Sequence, residues 1–365
     1  MLFATAAPAA APQCDNWPAW QHFKQLYLSA DGRVVDASAP RRTTVSEAQA
    51  YALMFALIAN DSAAFSKVLG WTQDNLAQGD LSRALPAWQW GRADDGTWAV
   101  LDANSASDAD LWLAYALAEA GRLWRNAAYT ALGRALSDRI LLEEVALIPG
   151  LGATLLPGPK GFAAHQTWRL NASYVPIQIV RAIDRQGGNR LWDDVLTSSE
   201  RLVIGSAPRG VAADWTDFRV PDGFITDQET HGTGSYNAIR VYLWAGMLAD
   251  SEPLLRILTR QFAPMVAIVS QRPAPPESID STTLELHGDG LPGFSAALLP
   301  LLAHAKPGVT VQAYRGRAEA AALQSDQNYY SDVLTLFGLG WLDGRYQFDR
   351  SGNLKVKWTA PCSAR

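Results

Sequence analysis

The chain has 365 residues, 48% of them hydrophobic, with 31 Lys and Arg against 36 Asp and Glu, a formal net charge of −5. That is enough apolar material for a large core, divided among two or three domains or gathered in one closed barrel. No basic block tracks phosphates, which excludes a nucleic-acid partner, and no uninterrupted apolar run reaches about 18 residues, so no membrane span is expected.

Taken in chain order, Met1 to Pro12 is built of small and apolar residues. It lacks the basic segment of a secretory leader but keeps the composition of a cleavage region. Residues 1–13 therefore read as a shortened export signal, with a disordered Ala/Pro tail as the alternative. Residues 14–365 are expected to form a single domain, since no linker divides them. Cys14 and Cys362 stand at the two ends; an exported protein could join them, and otherwise they are inert thiols.

Periodicity predicts helices over 17–28, 46–59, 62–75, 107–121, 124–141, 173–186, 191–206, 235–249, 252–268, 293–305, 315–323 and 328–341. Many are paired across short turns, as antiparallel neighbours are. In 109–121 the apolar residues leave little polar surface, so that helix must be covered on all sides. Such helices alternate with more polar ones such as 192–204, the pattern of an inner ring wrapped by an outer one. The expected fold is all-α, six helical hairpins in a toroid; a solenoid is less supported, because no fixed-period repeat is present. The long connections 78–104, 144–172, 208–234 and 270–292 are rich in Gly, Pro, Trp and Asp and are expected to carry function, with short hairpins near Trp98–Leu101 and Phe224–Thr226.

Two acidic sites open apolar helices. Ser46 is the expected N-cap of 46–59, which puts Glu47 at the first helical position. That residue could simply complement the helix dipole. Asp108 and Asp110 fall in the first turn of the apolar helix and, two residues apart, point in different directions. Asp108 is assigned to the cleft and Asp110 to a structural role. Trp88, Trp90, Trp98, Trp168, Tyr174, Trp215, Tyr236, Tyr329 and Tyr330 lie in connections or near helix starts. Carboxyl groups near flat aromatic surfaces suit sugar hydrolysis, where a buried acid protonates a poor leaving oxygen. The two Cys and five His show no metal-ligand spacing, and no Gly-rich phosphate loop is present; neither metal nor organic cofactor is expected.

Several segments carry a resemblance to a known family. They are Thr43–Glu47, Leu85–Gly91, Asn104–Asp110, Leu156–Pro159, Ser173–Pro176 and Ser235–Tyr242. On them the chain resembles glycoside hydrolase family 8, in particular the branch attached to bacterial cellulose-synthesis operons, over nearly its whole length. The resemblance implies an (α/α)6 barrel and inverting endo-hydrolysis of β-1,4 glucan, with xylan or chitosan as substrates of other members. It also implies a functional association with cellulose-synthase export machinery and a periplasmic or secreted location; a monomer is expected. By position, Glu47 matches the general acid, Asp108 the aspartate holding the distorted sugar, and Arg240 the arginine beside the base. Trp88, Trp90, Tyr174 and Tyr236 match substrate contacts, with Trp168 and Trp215 as further candidates.

One position departs from the pattern. Asn237 stands where the cellulase branch has its general-base aspartate, and an amide cannot accept a proton from water. Three explanations remain open on the sequence: another carboxylate serves, with Asp227 ahead of Glu229; the protein is a slow or inactive glucan binder; or Asn237 is an introduced change.

Overall fold

The computed structural model describes residues 16–37, 39–187, 189–305, 308–322 and 328–359. The leader-like stretch and both cysteines lie outside them. The helices, in chain order, are α1 (Pro18–Tyr27), α2 (Ser46–Ile58), α3 (Ser62–Leu76), α4 (Ser107–Leu123), α5 (Ala127–Glu143), α6 (Ile177–Gly187) and α7 (Leu191–Gly205). They continue as α8 (Ala238–Gly246), α9 (Pro253–Gln261), α10 (Ala263–Val269), α11 (Pro292–Ala305), α12 (Gly308–Ala322) and α13 (Tyr329–Leu342).

Helices α2, α4, α6, α8, α11 and α13 pack side by side in that order. Phe337 of α13 closes the circle onto Tyr51 and Phe55 of α2. The remaining helices back this ring from outside, giving the (α/α)6 arrangement. Sequence explains which helix goes where. In α2 every residue except Glu47 is buried, whereas α7 buries one stripe that includes Trp192, Val195 and Leu202. Each Leu or Phe fully removed from water contributes about 1.5–3 kcal/mol, so a helix apolar all round belongs inside. No helix among the described residues is long and apolar enough to cross a membrane.

Two expected helices are broken, each at a proline. The stretch 173–186 is a 3-10 turn at Ala172–Tyr174, then α6, because Pro176 pushes Val175 out of the helical region. The stretch 252–268 is α9 and α10, since Pro264 offers no N–H to continue the ladder. Helix α8 is shorter than expected, and α12 begins earlier, at Gly308, where exposed Val309 had hidden its start.

The strands are short. β1 (Thr44–Val45), β2 (Gln89–Arg92) and β3 (Trp98–Asp102) form one sheet, and β4 (Val145–Ile148) pairs with β5 (Gly152–Leu155). β6 (Ala163–Ala164), β7 (Thr167–Leu170), β8 (Thr216–Arg219) and β9 (Gly223–Thr226) form a four-stranded antiparallel sheet. β10 (Thr233–Gly234), β11 (Ser278–Asp280) and β12 (Leu286–His287) form a three-stranded sheet, and β13 (Tyr346–Phe348) and β14 (Leu354–Val356) a final hairpin. Thus β2 through β12 all lie in the four long connections, and the two expected hairpins are those of β3 and β9. The final hairpin is tied to α4: Tyr115 donates to the Gly352 carbonyl at 2.8 Å, and Glu119 accepts from the Leu354 amide at 2.7 Å. These residues lie well along α4 from its N-terminus, so the hairpin covers the end of the ring remote from Asp108.

Candidate active site

The N-terminal ends of α2, α4 and α8 bring Glu47, Asp108 and Arg240 to one end of the ring. Helix α2 starts one residue earlier than expected. Val45 is the N-cap, and Ser46 is already helical. The cause is tertiary: the Ser46 amide donates to the Trp88 carbonyl at 2.8 Å, so no side-chain cap is needed. The Trp88 amide in turn donates to the Asn104 carbonyl at 2.7 Å. One backbone segment therefore fixes the entries of both α2 and α4.

Glu47 is the residue of α2 that reaches solvent, and its Oε1 accepts from Trp88 Nε1 at 3.3 Å. Burial of its carboxyl, followed by the charge of Asp108, pushes its pKa up to about 8 despite the opposing influence of Arg240. The group is therefore a protonated acid near neutral pH, placed where a ligand can reach it.

Asp108 is buried, and its Oδ2 accepts from Arg240 Nη1 at 2.7 Å. The same guanidinium nitrogen donates to the Tyr51 hydroxyl at 2.9 Å. Burial raises the Asp108 pKa, while Arg240 works against that rise. Tyr51 stands four residues after Glu47, one helical turn on along the same face. Asp110 points elsewhere, as its spacing required: it is buried against Glu144, whose Oε1 accepts from Ser105 at 2.6 Å. Burial raises both pKa values, that of Glu144 to about 8. These two acids brace the approach to α4.

Arg240 also fixes Asn237. Its Nη2 donates to Asn237 Oδ1 at 2.7 Å. A guanidinium only donates, so the amide orientation is settled and the Asn237 NH2 points away from Arg240. Asn237 precedes α8, whose start is capped from another segment: Asp214 Oδ1 accepts from the amides of Ser235, Asn237 and Ala238 at 2.8, 2.9 and 2.7 Å. That cap is why α8 begins at Ala238 rather than at 235.

The candidate base Asp227 is placed differently from expectation. Its side chain is 1% exposed; Oδ1 accepts from Arg169 Nε at 2.8 Å, while Oδ2 accepts from the Thr230 amide and hydroxyl, both at 2.6 Å. These bonds hold its pKa below the usual carboxylate value in spite of burial. Asp227 is a sealed structural ion pair that orders the turn after β9, not a base open to water. Glu229 is exposed and pairs with the same arginine at 2.8 Å.

Aromatic rings line the connections and helix starts beyond Trp88. Trp98 is 46% exposed and stacks on Trp90 with centroids 5.2 Å apart, and Arg33 lies 4.3 Å over the Trp90 ring. Trp215 stacks on Phe162 at 5.9 Å and lies 6.0 Å from Tyr174, with Arg169 4.2 Å over its face. Tyr236 is exposed and packs on Phe294 and Tyr330, whose hydroxyl donates to the Tyr236 carbonyl. Trp168 departs from expectation. It neighbours Arg169 on β7, and alternation turns it to the opposite face, where it packs against the core. Sequence reasoning missed Asp214, Tyr51 and Phe162. Only Tyr51 had a readable signal, its one-turn spacing from Glu47.

The chain matches the profile of glycosyl hydrolases family 8 over residues 1–344. It is 44% identical over 348 residues to an endoglucanase of Escherichia coli (strain K12), covering 95% of this chain and 93% of that protein. It is 45% identical over 368 residues to an endoglucanase of Xanthomonas axonopodis pv. citri (strain 306), covering 100% and 95%. Its structure is similar to the crystal structure of an endo-1,4-D-glucanase from Vibrio fischeri ES114, with a TM-score of 0.92 and 44% identity over 94% of this chain and 100% of that one.

Proposed function

The chain belongs to glycosyl hydrolase family 8, and from that premise we propose that it is an endo-acting β-1,4-glucanase that cleaves internal bonds of cellulose with inversion. One observation carries this: Glu47 is the solvent-reaching residue of a buried helix, kept protonated near neutral pH beside Trp88. In this scheme Glu47 donates its proton to the glycosidic oxygen as the bond to the anomeric carbon breaks. Asp108, held by Arg240, accepts hydroxyl hydrogen bonds from the distorted sugar at the point of cleavage. Trp88, Trp90, Tyr174, Trp215 and Tyr236 offer flat faces to neighbouring pyranose rings. We also infer that the enzyme works outside the cytoplasm, as a monomer, alongside cellulose-synthase export machinery; the sequence segments resembling that branch of the family support this.

The test is Glu47→Gln assayed on carboxymethylcellulose for reducing ends, with cello-oligosaccharide binding measured in parallel. Turnover should fall about 10²–10⁴-fold, the usual worth of a general acid, with binding retained. Parental turnover in that variant would refute the assignment. Xylan and chitosan run beside it decide the polysaccharide.

A further inference from the structure

An inverting glycosidase needs a carboxylate that takes a proton from the attacking water. Asn237 cannot do this, and Asp227 is sealed. Two carboxylates remain near the start of α8, Asp214 and Glu277, and Asp214 is the one bonded to the backbone of that start. Its Oδ1 is bonded to the amide of Asn237 itself, at 2.9 Å, as well as to those of Ser235 and Ala238. Oδ2 has no hydrogen bond to a described residue, and Asp214 is only half-buried, so that oxygen reaches solvent. The carboxylate belongs electrostatically to the same cluster as the acid site: the charges of Asp214, Asp108 and Arg240 all bear on the Tyr330 phenol.

We propose, resting on the glucanase reading above, that Asp214 is the general base of this enzyme, with the Asn237 NH2 orienting the attacking water and Asp214 Oδ2 taking its proton. Bonds and protons balance. The water oxygen forms its bond to the anomeric carbon as the glycosidic C–O bond breaks. The leaving oxygen receives the Glu47 proton, and the water proton passes to Asp214. One water is thus divided across the bond, and proton exchange with solvent resets both carboxyls. Two further observations support this. Burial lifts the Asp214 pKa from the usual carboxylate value, which strengthens it as a base, while the three amides and Arg240 oppose that rise. The amides also hold Oδ1 in place, leaving Oδ2 as the working atom. Glu277 is the competing carboxylate: it is exposed, and its Oε1 lies 3.4 Å from the Tyr236 hydroxyl.

The experiment compares the full chain with D214N, N237D, D214N/N237D and E277Q on carboxymethylcellulose, following kcat, KM, cello-oligosaccharide affinity and melting temperature. Asn at 214 keeps an oxygen for the three amides, so D214N should fold and bind while kcat falls about 10²–10⁴-fold. N237D in that background should restore kcat by at least about tenfold, because it supplies a new carboxylate beside the same water; a purely structural role for Asp214 would instead show as a lowered melting temperature and weakened cello-oligosaccharide binding in D214N. The proposal is overturned if D214N keeps parental kcat, if the double variant stays as slow as D214N, or if E277Q loses more turnover than D214N. An inactive parent with an active N237D overturns the role of Asp214 while leaving the glucanase reading intact. No hydrolysis by any variant, N237D included, removes both.

Discussion

At the residue scale, the chemistry depends on keeping one carboxyl protonated next to another that is held by an arginine. Glu47 loses solvation at the mouth of the barrel and feels Asp108, and the sum places its pKa at about 8. The acid must carry its proton to donate it, so the alkaline limb of kcat/KM should fall as pH rises through that value, while the acid limb reports the carboxylate that must be ionised to act as base. Asp108→Asn removes the neighbouring negative charge while keeping the size of the side chain. The Glu47 pKa should then drop, because one of the two influences raising it is gone, and the alkaline limb should move toward acid pH. Profiles of kcat/KM against pH for the parent and Asp108→Asn check this; an unmoved limb would mean that Glu47 does not sense Asp108. Turnover in that variant should also fall, since the Arg240 guanidinium loses its charged partner.

At the scale of elements, the working residues come from helix N-termini, and the helices must lie close for those ends to converge. Two glycines permit this. A Cβ on Gly338 of α13 would stand 2.0 Å from the Ala296 carbonyl oxygen of α11, and one on Gly246 of α8 would stand 2.2 Å from the Leu301 amide nitrogen. Both obstacles are backbone, which cannot rotate away. Gly338→Ala should therefore cost about 1–3 kcal/mol despite its better helix propensity, read as a lower urea midpoint with an unchanged slope. The inner helices were legible because their apolar residues run all round the axis, and the acidic first turns of α2 and α4 because they interrupt such runs. The breaks at Pro176 and Pro264 were also written in the chain, but continuous periodicity across them hid the ends. The strands were less legible. β7 pairs with β8, with Leu170 opposite Thr216, and nothing local in either segment specifies a partner so far along the chain. Asp214 was invisible for the same reason: only the closed ring carries its loop under the start of α8. Asp227, by contrast, looked suitable at the right distance upstream, and Arg169 is what removes it from contention.

Across the whole molecule, stability and binding are divided between centre and rim. Phe337 is fully buried and lies 5.2 Å from Tyr51, 4.6 Å from Phe55, 5.4 Å from Trp112 and 5.2 Å from Trp244. Those partners stand on α2, α4 and α8, so one ring joins four of the inner helices, its own included. Phe337→Ala would leave a cavity that rigid neighbouring helices cannot fill, and the expected loss is about 3–5 kcal/mol. Trp98 presents the opposite case. It is half-exposed on β3, stacked on Trp90, and covers no part of that core. Trp98→Ala should shift the urea midpoint little, because few of its contacts are lost from a packed interior, yet weaken binding of long cello-oligosaccharides more than short ones, since a rim ring meets sugars remote from Glu47. Urea denaturation and oligosaccharide binding on the two variants separate these roles. If Trp98→Ala instead lowered the midpoint as far as Phe337→Ala and left binding of long chains intact, the stacked tryptophans would be a structural brace, and the substrate path would have to leave Glu47 in another direction.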